Sequence, residues 1–116
     1  MSDTSALVSQ AFQTFLSETP AHAKAWMDVV QGLGQASALD KKTESLAYLA
    51  VLAALRLESG VPFHVAVAKG AGASRAEVLS AILVGLPAAG HGVTQVLPAA
   101  VRAFDEATAP SSSAKP

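Results

Sequence analysis

Few side chains in this 116-residue chain are able to do chemistry. There are three histidines, His22, His64 and His91, and no cysteine. Without thiols, disulfide scaffolds, thiolate zinc sites and cysteine nucleophiles are all excluded, although that alone does not fix the compartment. His64 follows Gly60-Val-Pro-Phe63 near the start of an expected helix. An imidazole there can give or take a proton near neutral pH, and the positive end of the helix dipole biases it toward the neutral form. The bland alternative is a helical histidine bonded to a nearby carbonyl or hydroxyl. His91 lies between two glycines and reads as an exposed turn residue, and His22 reads as surface. Two separated histidines with no carboxylate at ligand spacing give no metal site.

Around His64 the candidate binding residues are Glu58, Ser59, Gly60 and Tyr48. Glu58 is placed to hydrogen-bond a ligand or to orient His64, against the simpler role of a solvated acid at a helix boundary. Ser59 as a nucleophile would require a base and an oxyanion site, whereas a helix cap explains it with less. Tyr48 and Arg56 stand eight residues apart on one helix and so roughly share a face, and either is a candidate to line a cavity. A buried tyrosine satisfied by one hydrogen bond is the ordinary reading. Gly70-Ala-Gly72 lacks the strand and the Lys-Ser/Thr sequel of a phosphate loop and is a helix-ending turn.

The elements that must position these residues are helices. Apolar residues recur at spacings of three and four in a chain rich in Ala and Leu. The pattern predicts an all-α domain of about six helices spanning 1–107, followed by a disordered tail over 108–116. A first helix is expected from about Ser5 to Ser17 and a second from Ala21 to Val30, ended by Gly32 and Gly34. A third, capped by Asp40 and running to about Leu57, is apolar almost all round and should be surrounded by others. Glu58-Ser-Gly-Val-Pro62 is a break and restart, with a helix continuing to about Gly70. Ser74-Arg-Ala-Glu77 is a capping box that opens a helix presenting Val78, Leu79, Ile82, Leu83 and Leu86 to the core. A last helix follows Gly90-His-Gly92 to about Ala107, bent at Pro98.

From Leu39 to about Gly90 the sequence resembles the carboxymuconolactone decarboxylase and AhpD-like alkylhydroperoxidase family. The likeness rests on Leu39-Asp-Lys-Lys-Thr43 opening one helix, His64 near the start of the next, and Gly72-Ala-Ser-Arg-Ala-Glu-Val78. Family members carry Cys-x-x-Cys-x-x-x-His at that helix start. Here Leu57 and Gly60 stand where the two cysteines would be, and Ser45 where many members have a glutamate. The resemblance implies a compact helical fold that pairs into dimers, trimers or hexamers, with the thiol relay of the redox-active members lost. It leaves a small-molecule pocket near His64, with His64 as the candidate catalytic residue. The alternatives are a cofactor-free acid–base decarboxylase or lactone-processing enzyme using His64, and a non-catalytic interaction module.

Composition narrows the partners. Eight basic against nine acidic residues, for a net charge of -1, leave no footprint for nucleic acid. The size predicts about 5,900 Å² of folded surface against roughly 17,000 Å² unfolded, enough for one core. Val78 to Val101, 24 residues, contains no Asp, Glu, Lys or Arg. Its length would span a bilayer, but its glycines and prolines fit a membrane helix poorly, so no membrane partner is expected. Cover by a second copy of the chain is the preferred explanation. The start Met1-Ser-Asp-Thr-Ser5 has no basic and apolar leader, which predicts a cytoplasmic protein. No cofactor is called for.

Overall fold

The computed structural model describes residues 7–107. The expected tail over 108–116 and the expected first residues of the opening helix lie outside them. Among the described residues the chain is all-α, with seven α-helices, two 3₁₀ stretches and no strand.

The first helix, α1 (Gln10–Glu18), begins later than its periodicity suggested, because the Ser9 hydroxyl accepts from the Phe12 N–H at 3.2 Å and so marks the cap. Thr19 alone separates it from α2 (Pro20–Ala36), whose first position is the proline that a helix start tolerates. α2 runs straight through Gly32 and Gly34, where the sequence had placed its end. Both glycines have no atom within 4 Å of where a side chain would begin, so they lower helix stability without forcing a turn.

In α3 (Lys41–Leu55) Asp40 is the cap, accepting from the Thr43 N–H at 2.7 Å. This hydrogen bond holds the Asp40 carboxyl below its ordinary 3.8. Leu49, Leu52 and Ala53 are buried, and α3 packs against α4, α5 and the second 3₁₀ stretch. It is not enclosed all round, however, because Tyr48, Val51 and Leu55 are exposed. The helix ends at Leu55, two residues short of expectation, with Arg56 as its cap. Arg56 is left-handed at φ 59, and the Leu57 N–H reaches back to the Leu52 carbonyl at 2.9 Å.

A 3₁₀ turn, Glu58–Gly60, leads into α4 (Val61–Gly70), with Pro62 in its first turn. The Ser74 and Glu77 capping box is present at α5 (Arg75–Leu83), the Glu77 carboxylate accepting from the Ser74 N–H at 2.9 Å. The four-residue α6 (Leu86–Ala89) and the 3₁₀ stretch Gly90–Val96 lead to α7 (Leu97–Glu106). Pro98 therefore lies in the first turn of α7 and does not bend it, since a missing N–H is harmless at that position.

By length and composition Arg75–Glu106 is apolar enough to cross a membrane. In the fold this stretch is broken around Gly85 and Gly90, and α7 returns against α4 and α5. Val78, Ile82, Val93, Val96 and Ala100 fill the core together with Leu49, Val61 and Val65. The charge-free run from Val78 to Val101 thus supplies part of the chain's own core, while Ser80, Val84, Pro87 and Ala88 on it remain exposed. Polar ties hold the frame around this core. Lys69 on α4 donates to the Phe104 and Ala107 carbonyls at 2.7 and 2.8 Å, closing the end of α7. Lys42 pairs with Glu77 and Arg75 with Asp105, each at 2.9 Å.

Candidate functional site

His64 lies in the second turn of α4, and the preceding proline and glycine set how that helix leaves the 3₁₀ turn. Its ring is half-buried, and burial pushes its pKa below the ordinary 6.5. No group among the described residues hydrogen-bonds to either ring nitrogen, so the bland reading of a bonded helical histidine does not hold. What touches it instead is aromatic. The Tyr48 ring lies 4.4 Å away, centroid to centroid, tilted by 44°, and the Phe63 ring is perpendicular to the His64 ring at 5.2 Å and 87°.

These residues form one wall of a cavity of about 370 Å³. Tyr48 on α3, Ser59 and Gly60 in the 3₁₀ turn, and Phe63 and His64 on α4 line that wall. The opposite wall comes from the α1–α2 pair and its approach, with Ser9, Phe12, Trp26, Met27 and Val30. Within the chain α2 packs chiefly against α1 and buries only Ala23 completely, so the pair stands off from the body and leaves this space between.

Of the residues singled out in the sequence, the fold brings His64, Tyr48, Ser59 and Gly60 together at the cavity. Glu58 is exposed and does not line it, and its carboxylate makes no ion pair or hydrogen bond among the described residues. Arg56 does not share the cavity with Tyr48 either. Its left-handed backbone turns the guanidinium onto Gly92, where any side chain would collide with it. Tyr48 is 48% exposed and its hydroxyl has no partner among the described residues, which replaces the buried, hydrogen-bonded tyrosine of the sequence reading. Ser59 does not cap α4, because Gly60 occupies that position with no side-chain cap. His22 and His91 are exposed, as read.

At the two positions where the family motif has cysteine, Leu57 is half exposed and away from the cavity. Gly60 lies at its wall, and a Cβ there would meet the Leu52 side chain at an ordinary 3.5 Å. The space for a side chain at position 60 is therefore intact even though the thiol is gone. Ser45 is buried on α3. Among the described residues no three His, Asp or Glu side chains come together to hold a metal.

Sequence reasoning missed Phe63, Met27 and the Phe12–Trp26 wall as site residues. Phe12, Trp26 and Val30 read as the inner faces of amphipathic helices, and nothing local says that these faces meet His64. A larger hollow of about 490 Å³ between α3 and α5 is lined by small residues such as Ala47, Ala50, Ser80 and Ala81. Its one ionisable group, Glu77, is engaged by the Ser74 N–H and by Lys42, so this open groove offers less chemistry than the smaller cavity.

An all-helical frame with a histidine at the restart between α3 and α4 defines a class, and comparison with known proteins agrees. Residues 20–106 match the model of the carboxymuconolactone decarboxylase family. The chain belongs to that family, and it does so without a cysteine. No curated protein and no solved structure matches it.

Proposed function

We propose that this protein is a cytoplasmic, self-associating member of the carboxymuconolactone decarboxylase family that binds a small molecule in the cavity beside His64 and has no thiol peroxidase activity. The observation that carries this reading is an imidazole without any hydrogen-bond partner among the described residues, set in the wall of a space of about 370 Å³. That volume lies in the range of ligand sites. A module whose only task is to bind other proteins has no need of such a space, so the cavity favours the ligand reading over the interaction module. Held neutral by burial, His64 is suited to accept a proton from a bound molecule at neutral pH, which supports cofactor-free acid–base chemistry as the reaction class.

The test is a small-molecule fragment screen followed by NMR, with the indole signal of Trp26 and the ring protons of His64 as reporters. Binders are expected to move both, and a His64→Ala variant is expected to bind them several-fold more weakly. Hits confined to the α3–α5 groove would overturn the assignment of the site. Reduction of alkyl hydroperoxides with a dithiol donor at rates typical of thiol peroxidases would overturn the claim about peroxidase activity. For any substrate found, turnover unchanged in His64→Ala would remove the acid–base role.

A further inference from the structure

The lining of this cavity is selective in its chemistry. The whole chain has four Phe, one Trp and one Tyr. Of those six rings, Phe12, Trp26, Tyr48 and Phe63 all border this one space. Among the described residues none that lines it is Asp, Glu, Lys or Arg, and the polar side chains there are Ser9, Tyr48, Ser59 and His64. A carboxylate or phosphate entering here would give up its hydration with no cation to receive it, which an apolar space penalises heavily. A cation would need ring faces turned toward an empty centre. Tyr48 and Phe63 are instead turned onto His64, at 4.4 and 5.2 Å. Tilted and perpendicular rings of this kind are complementary to another ring, which they meet in offset or edge-to-face contact.

We propose that the cavity takes an uncharged, planar aromatic molecule of one or two rings, bearing a hydroxyl or carbonyl that hydrogen-bonds to His64. This rests on the reading of the cavity as a ligand site and adds the class of ligand. The free ring nitrogens of His64 match either group: a neutral imidazole accepts from a hydroxyl through one nitrogen and donates to a carbonyl through the other.

Four probes separate the possibilities in calorimetric titrations, with the Trp26 indole signal as a second readout. They are 2-naphthol, 2-naphthoate, decahydro-2-naphthol and tetramethylammonium. The expected result is that 2-naphthol binds about tenfold or more tightly than each of the others and shifts Trp26. Tyr48→Leu, which keeps bulk and removes the ring, is expected to weaken 2-naphthol about tenfold and to leave decahydro-2-naphthol unchanged. If 2-naphthoate, decahydro-2-naphthol or tetramethylammonium binds at Trp26 as tightly as 2-naphthol, the ligand class is wrong while the site stands. If no probe moves Trp26, both the class and the site fall.

Discussion

A thiol relay and a lone imidazole make different demands on the residues around them. The relay needs two cysteines near a helix start, where unpaired N–H groups stabilise a thiolate. Leu57 and Gly60 offer neither sulfur nor charge, and Ser45, in the place of a family glutamate, offers no proton acceptor of comparable strength. His64 has aromatic neighbours in Tyr48 and Phe63. Its burial has a consequence for stability. Because the folded pKa lies below the ordinary 6.5, the unfolded chain takes up its proton at a higher pH than the folded one does. The contribution of this group is therefore flat above about pH 6.5, and stability falls as the pH drops from there through the folded value. Urea unfolding at pH 7.5 and 5.5 should show a smaller pH-dependent loss in His64→Gln than in the parent chain. An equal loss in both would mean that His64 is not desolvated.

Among the elements, the sequence read the caps better than the ends. Asp40 and the Ser74 and Glu77 box are local chemistry, and both appear where expected. Helix ends depend on what lies alongside. Gly32 and Gly34 looked like a stop, yet α2 passes through them because nothing approaches their Cα atoms and the helix is free to continue into solvent. Replacing both with alanine should stabilise the protein by about 0.5–1 kcal/mol each, since alanine restricts the unfolded chain and meets no neighbour. Chemical denaturation of the double variant would measure it, and destabilisation would show that α2 does not run through these positions. Arg56 ended α3 without any glycine signal. A left-handed arginine is held there by the backward Leu57 to Leu52 hydrogen bond, with its guanidinium against Gly92 from a distant part of the chain.

At the scale of the molecule, large exposed apolar side chains gather on α2 among the described residues. Of twelve exposed large hydrophobic residues among those described, five lie on α2, namely Trp26, Met27, Val29, Val30 and Leu33, while Val78 to Val101 contributes Val84. For the self-association proposed above, we assign α2 as the contact face, because exposed apolar side chains gathered on one helix are what a partner copy would cover. Val29 and Leu33 belong to the patch but do not line the cavity. The Val29→Glu, Leu33→Glu double variant is expected to sediment as a monomer with its cavity intact; a parent chain that is itself monomeric would end the proposal. Helical class, caps, the restart before His64 and the loss of the thiols were all legible in the linear order of residues, because each depends on neighbours within about one helical turn. The meeting of Phe12 and Trp26 with Tyr48 and His64 was not. It depends on how far the α1–α2 pair stands from α3 and α4, a distance set by packing between segments remote in the chain, and that distance makes the cavity.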